Sequence, residues 1–251
     1  MLAVIGALLF ILPLLGLLWR MPWSQMGDVL RDPTARTALR LSLQSSLSAM
    51  FLSIVLGTPI AVVLARTSFP GKRLVRALLT LPMVLPPVVG GVVLLLAFGR
   101  KGLIGQWLFD WFDIRLAFTT TGVILAETFV AMPFFIIILE AALTSVDTRL
   151  EEAAASLGAK PLRVFRTVTL PLVRPSLIAA AALTWARALG EFGATVTFAA
   201  NVPGVTQTIP LKVYTDLESN TDGAYVMSLV LLVISVLVLV AFQDRWMRPN
   251  R

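Results

Sequence analysis

Long runs of apolar residues without charge constrain this chain more than any other feature. The clearest run covers residues 41–65, which are 25 positions without one charged side chain. A helix of about 20 apolar residues is long enough to cross the hydrocarbon core of a bilayer. Because 57% of the residues are hydrophobic and only 14% are charged, the composition is that of an integral membrane protein rather than of a soluble domain.

The apolar runs predict an all-α polytopic membrane protein with six transmembrane helices in one domain, residues 1–251. The serines in the first half of the second run can hydrogen-bond between helices. The third run contains Pro82, Pro86 and Pro87 and cannot be one regular helix. Its broken backbone therefore needs protein or a water-filled cavity around it. The predicted spans are residues 2–19, 41–65, 77–99, 116–143, 176–200 and 224–242.

The first run could instead be a cleaved signal peptide, but it lacks a basic start and an evident cleavage site. We therefore interpret residues 2–19 as a membrane span. If they were removed, five spans would remain and the loop at residues 147–171 would keep its orientation.

The basic residues predict how the chain is oriented. Six spans put both termini on one side, where Lys and Arg number 12, against eight on the opposite side. Cytoplasmic loops carry the excess of Lys and Arg, so both termini and the loop at residues 147–171 are expected in the cytoplasm. The net charge of +7 then reflects these loops, and no nucleic-acid partner is expected.

The loop at residues 147–171 has its own local structure. Residues 151–155, EEAAA, favour a short helix with its acids at the N-terminus. Gly158 can end this helix in a left-handed conformation, and Pro161 can open a second short helix that runs to about residue 170. Two short helices joined at a glycine would form a compact projection. The simplest alternative is an ordinary basic loop.

The spacing in this loop resembles the EAA loop of the permeases of ABC importers. In that family a Glu-Ala-Ala triplet is followed, at the offsets found here, by a glycine, an aliphatic residue and Leu-Pro. The resemblance implies a cytoplasmic coupling helix that sits in a groove of a separate ATPase subunit. The residues to which it assigns ATPase coupling are Glu151, Glu152, Ala153, Ala154, Gly158, Val168, Leu170 and Pro171.

Three of the charged residues within the predicted spans are further candidates. Glu127, Arg187 and Glu191 are costly in lipid and must face protein or water. Arg187 and Glu191 are four residues apart on one helical face and can form an ion pair. Such a pair either fixes the packing of helices or borders a route for a charged solute; both interpretations stay open.

Three further segments resemble the molybdate branch of these permeases, which has sulfate, thiosulfate and tungstate relatives. They are LPMVLPPVVGG at residues 81–91, ALGEFGATVTFAANVPG at 188–204 and TIP at 208–210. The resemblance covers about residues 36–245 and implies the architecture of a type I ABC-importer permease. The candidates for the translocation path are Pro86, Pro87, Gly90, Glu127, Arg187, Glu191, Gly193 and Thr195.

The resemblance also implies partners. A homodimer of this chain would form the path in a prokaryotic cytoplasmic (inner) membrane. Two ABC ATPase subunits would bind ATP and Mg, and an extracytoplasmic oxyanion-binding protein would deliver molybdate or a similar oxyanion for import by alternating access.

The chain itself is not expected to be an enzyme or to carry a cofactor. It has no G-x-x-x-x-G-K-[ST] phosphate loop. It has no cysteine and no histidine, which removes the common forms of zinc and thiol sites. The alternatives are a sulfate, thiosulfate or tungstate ABC permease, a secondary transporter with its own coupling-ion site, an intramembrane enzyme and a structural scaffold.

Overall fold

The computed structural model describes residues 1–246, and every regular element within that range is helical. A π-helical segment, Phe165–Thr169, joins α9 to α10. Arg248 and Arg251, which are among the basic residues counted above, lie outside the described residues. The α-helices are α1 (Leu2–Trp19), α2 (Met26–Arg31), α3 (Pro33–Arg66), α4 (Lys72–Val84), α5 (Pro87–Phe98), α6 (Gly105–Phe112), α7 (Thr120–Ser145), α8 (Thr148–Ser156), α9 (Pro161–Val164), α10 (Leu170–Leu189), α11 (Gly193–Ala199), α12 (Ile209–Ser219) and α13 (Thr221–Trp246).

The expected helical membrane fold is confirmed. Within residues 1–246, five helical stretches are long and apolar enough to cross a membrane. The third predicted span consists of two helices, α4 and the short apolar α5, separated at residues 85–86. Of the three prolines, Pro82 lies inside α4 without ending it. The break is at Pro86 and Pro87. The five long stretches are Leu2–Trp19, Pro33–Arg66, Thr120–Ser145, Pro161–Leu189 and Thr221–Val238.

The second span starts earlier than predicted. Helix α3 begins at Pro33 because Asp32 caps it: the Asp32 carboxylate accepts a hydrogen bond from the backbone N–H of Ala35 at 3.1 Å. Proline suits the first helical turn, where its missing N–H would have no helical partner. Residues 33–40, which precede the predicted second span, are therefore helical.

The fifth span was predicted wrongly as one run over residues 176–200. The structure begins this helical stretch at Pro161, ends α10 at Leu189 and starts α11 at Gly193. A further helix, α12, lies between α11 and α13 at Ile209–Ser219. Within α12, Lys212 and Asp216 form a buried ion pair at 3.0 Å. A helical i, i+4 pair satisfies both charges locally, which lets this polar segment pack against α3 and α13.

Helix α7 is central to the bundle and packs against α3 and α10. Their main cluster of buried side chains includes Leu64, Phe135, Leu139 and Val173. Gly57 brings α3 close to α7, since a Cβ at that position would lie 2.8 Å from Cδ1 of Phe135. By contrast, α1 buries none of its residues against the described chain. The bundle therefore positions α3, α7 and α10 firmly, and α1 lies outside it.

Candidate functional site

The two interrupted membrane stretches meet through α5 and α11. A Cβ on Gly193 would lie 2.5 Å from Cβ of Pro87, and a Cβ on Gly91 would lie 2.5 Å from Cβ of Thr197. Both distances are too short for real atoms. Each half-helix therefore needs a glycine where it meets the other, which explains two of the glycines in the motif-bearing segments.

Glu191 organises the break between α10 and α11. Its Oε1 accepts a hydrogen bond from the backbone N–H of Ala194 at 2.9 Å, at the start of α11. Its Oε2 pairs with Nη1 of Arg187 at 2.7 Å. The predicted ion pair is thus confirmed, although the two residues do not share one continuous helix. The side chain of Glu191 is only 1% exposed and that of Arg187 is 28% exposed, so the pair holds the two helices together largely out of solvent.

Glu127 lies on α7 and faces α3. Its Oε1 accepts a hydrogen bond from the hydroxyl of Ser45 at 2.8 Å, while Oε2 has no partner among the described residues. The neighbouring Ser46 accepts a hydrogen bond from Nε1 of Trp185 at 2.9 Å. The serines of α3 therefore make the interhelical contacts that their position in an apolar run predicted.

The remaining path candidates lie at or near the contact of α5 with α11. Pro86 and Pro87 are exposed at the start of α5, and Gly90 is buried beside Phe129. Thr195 is buried in α11, and its hydroxyl has no partner among the described residues. The structure brings Pro87, Gly193 and the Arg187–Glu191 pair to adjoining positions, and Glu127 makes its hydrogen bond to Ser45 of α3. That any of these residues lines the path stays a prediction.

Helix α8 forms the projecting part of the loop at residues 147–171. The Asp147 carboxylate accepts a hydrogen bond from the backbone N–H of Arg149 at 3.0 Å and so caps the helix. Gly158 follows with φ of 84°, the left-handed conformation that glycine adopts without strain. Pro161 then begins α9. The end of the first short helix is as the sequence predicts, while its start, at Thr148, precedes residues 151–155.

The second short helix was predicted wrongly as a separate unit. Helix α9 continues through the π-helical segment into α10, giving one stretch from Pro161 to Leu189. Val168 therefore lies in the π-helical segment, half-buried. Leu170 and Pro171 are the first residues of α10. The last part of the family pattern thus belongs to the base of a membrane helix and not to the projection.

Glu151 points inward from α8. Its Oε1 accepts a hydrogen bond from Nη2 of Arg66 at 2.7 Å and another from the hydroxyl of Thr169 at 2.6 Å. Glu152 and Ala153 are exposed on the same helix, Ala154 is half-buried, and Leu157 just after it is 90% exposed. Two adjacent glutamates in the predicted coupling set therefore face different surroundings.

Sequence reasoning missed Arg66 and Thr169, because 85 and 18 residues separate them from Glu151 and no spacing rule links them. It also missed the ion pair between Arg76 and Glu140, which joins α4 to α7. That pair lines an open cavity of about 870 Å³ at the same end of the bundle as α8, together with Arg73, Ala77, Thr80, Ile137, Ala141, Thr144 and Ser145. The Lys212–Asp216 pair could have been found from its i, i+4 spacing.

Known proteins share both the sequence pattern and this fold. The family model described as binding-protein-dependent transport system inner membrane component matches residues 53–249. The molybdenum transport system permease protein ModB of Mycobacterium bovis is 43% identical over 243 residues, covering 97% of this chain and 92% of the relative. The sulfate transport system permease protein CysT of Salmonella typhimurium is 36% identical over 248 residues, covering 97% and 89%.

A solved structure shows the same fold at low sequence identity. It is the crystal structure of a bacterial ABC transporter involved in the import of the acidic polysaccharide alginate, and its matching chain superposes with a TM-score of 0.79 at 16% identity. The superposition covers 100% of this chain and 94% of the other. At that identity the match establishes the fold alone.

Proposed function

The chain belongs to the family of binding-protein-dependent transport system inner membrane components, and we propose that it is the membrane-spanning subunit of an ATP-driven importer for molybdate. The observation that carries this proposal is the 43% identity to a molybdenum permease along nearly the whole chain. The sulfate permease, at 36% identity, makes sulfate the second candidate substrate. Tungstate, a tetrahedral dianion of nearly the size of molybdate, is the closest chemical alternative.

The proposed complex contains two copies of this chain, two ATPase subunits and an extracytoplasmic oxyanion-binding protein. ATP and Mg bind to the ATPase subunits, and this chain is a transport subunit rather than an enzyme. Helix α8 supports the proposed contact with the ATPase, because it projects from the bundle and buries none of its residues. The complex lies in the prokaryotic inner membrane with both termini of this chain in the cytoplasm, an orientation supported by the excess of Lys and Arg on that side.

The proposed mechanism is alternating access. ATP binding closes the ATPase dimer and moves the α8 helices of the two copies together, which opens the path to the outside. Hydrolysis then returns the path to the inside. The broken backbone of the third and fifth spans supports a path beside α5 and α11, since irregular backbone at membrane depth occurs where it is buried in protein or lines a cavity.

The experiment that tests this function uses the complex of this chain with its ATPase and binding protein, reconstituted in liposomes. We expect molybdate-loaded binding protein to stimulate ATP hydrolysis and to drive molybdate accumulation in the liposomes. Sulfate should stimulate both less. Liposomes without the binding protein serve as the control. Stimulation by sulfate alone would reassign the substrate, and ATP hydrolysis by this chain without a partner would contradict the proposal.

A further inference from the structure

We propose that Glu151 is a positioning residue that joins α8 to the ends of α3 and α10, rather than a contact of the ATPase; this inference rests on the function proposed above. The family pattern places Glu151 beside the coupling triplet, and its carboxylate could have faced outward. The structure turns it toward the bundle instead. Its two partners belong to two different membrane helices.

The contacts of Glu151 bring three elements to one carboxylate oxygen. Arg66, whose guanidinium donates at 2.7 Å, is the last residue of α3. Thr169, whose hydroxyl donates at 2.6 Å, is the last residue of the π-helical segment and directly precedes α10. The side chains of Arg66 and Glu151 are only 22% and 20% exposed. A charge-assisted hydrogen bond that is partly shielded from water is stronger than one on an open surface.

The chain connections of α8 explain why such a joint is needed. Before α8, Val146 and Asp147 are extended. After it, Gly158 has positive φ and no atom within 4 Å of the position of a Cβ. Val146 packs against the main buried cluster, but the connection at Gly158 is not braced by packing, so a displacement of α8 could be absorbed there by rotation of the backbone. The Glu151 contacts bypass both connections and tie α8 directly to the membrane helices.

The two helices that Glu151 reaches are suited to carry a displacement through the protein. Helix α3 has 34 residues and packs along α7, so a force at Arg66 acts on a helix that spans the bundle. Thr169 lies in a π-helical segment, and such segments recur at functional sites within helices. Helix α10 then leads to the Arg187–Glu191 pair and to the break before α11. One carboxylate thus connects the proposed ATPase contact with α3 and with the helix that leads to the broken span.

Glu152 offers a matched control on the same helix. It is exposed, and its side chain makes no hydrogen bond or ion pair among the described residues. Replacing either glutamate with glutamine removes one negative charge from α8 and leaves the size of the side chain unchanged. A difference between the two variants therefore reports the direction in which each carboxylate points.

The test uses the complex of this chain with its ATPase and binding protein in liposomes, and it measures molybdate uptake per ATP hydrolysed. We expect Glu151→Gln and Thr169→Val to lower this ratio, roughly ten-fold for Glu151→Gln, while the ATPase still co-purifies. Glu152→Gln should instead weaken retention of the ATPase, a loss that we do not expect from Glu151→Gln. Arg66→Glu should lower the ratio, and the exchange Arg66→Glu with Glu151→Arg should recover most of it.

Docking can be measured independently of transport. The chain has no cysteine, so Leu157→Cys, at the exposed end of α8, provides a single thiol for cross-linking to the ATPase. We expect the cross-link to persist when Glu151→Gln is added. Loss of the cross-link or of the co-purifying ATPase would mean that Glu151 contacts the partner. An unchanged ratio of molybdate uptake to ATP hydrolysis would mean that Glu151 does not join α8 to the membrane helices. Either result would overturn the inference. Failure of the proposed function can be distinguished from these results, because the unaltered chain itself would then not retain an ATPase or transport molybdate.

Discussion

Glu151 and Glu191 both bring helix ends together, but they do so over very different distances along the chain. Glu191 pairs with Arg187 four residues away and caps α11 three residues ahead. Glu151 pairs with Arg66, 85 residues away, and with Thr169 in a third element. The side chain of Glu191 is 1% exposed and that of Glu151 is 20% exposed.

The two ion pairs are therefore expected to differ in role: one stabilises the fold, and the other connects separate elements. A buried local pair holds one backbone break in shape, and removing Arg187 leaves the Glu191 charge in a place without water. A long-range pair near the surface contributes less to stability because water can replace its bonds, but it joins elements that would otherwise move separately. We therefore expect damage at Glu191 to appear in folding and damage at Glu151 to appear in coupling.

The largest expected effect on stability is that of Arg187→Ala. The variant leaves the Glu191 carboxylate buried without its cation, a change that typically costs about 3–5 kcal/mol in unfolding free energy. Thermal unfolding of the purified complex should show the loss. The preference of the remaining transport among molybdate and sulfate should not change. A stable variant with altered preference would instead make Arg187 a residue of the path and would end the contrast with Glu151.

Substitutions at Gly158 test whether the loop that contains α8 takes part in coupling. Gly158→Ala has open space for its Cβ but must adopt positive φ, which costs about 1 kcal/mol. Gly158→Glu adds a bulky charge on the side of α8 that is proposed to meet the ATPase, so we expect uptake to be lost while the chain still inserts in the membrane. Membrane fractionation checks insertion, and uptake in liposomes checks function. Full uptake by Gly158→Glu would remove this loop from the coupling mechanism.

Substitution of Asp32 should have the smallest effect on stability, and it tests a helix cap that can be compared with the one made by Glu191. It caps α3 through the N–H three residues ahead, as Glu191 caps α11, but outside the membrane spans. The Thr34 hydroxyl, which donates to this carboxylate, holds the pKa of Asp32 below its ordinary value of 3.8. Its contribution to stability is therefore present above the unfolded pKa and is lost as the pH falls through the lower, folded pKa.

We accordingly expect Asp32→Ala to cost about 1 kcal/mol near neutral pH. The difference between the variant and the unaltered protein should shrink as the pH falls below 3.8. Thermal unfolding across this range measures it. A difference that grows on acidification would contradict the capping role.

Most of the long apolar helices were predictable because apolar run length is a local property of the sequence. The break at Pro86 and Pro87 follows from the missing N–H and fixed φ of proline, and the end of α8 at Gly158 from the freedom of glycine. The break at residues 190–192 was not predicted, because Gly190 alone does not end an apolar helix. It forms where the Glu191 carboxylate caps a new helix and where Gly193 must approach Pro87.

The sequence by itself determined the helical membrane fold, the ion pair at Arg187 and Glu191, and the position of the loop at residues 147–171, since each depends on residues close together in the chain. Only the tertiary structure decided that α5 and α11 meet through reciprocal glycines, that Glu127 bonds to Ser45, and that Glu151 turns inward to Arg66 and Thr169. These contacts depend on how separate helices pack around α7. Such packing is the summed result of many side chains, so no short spacing in the sequence records it.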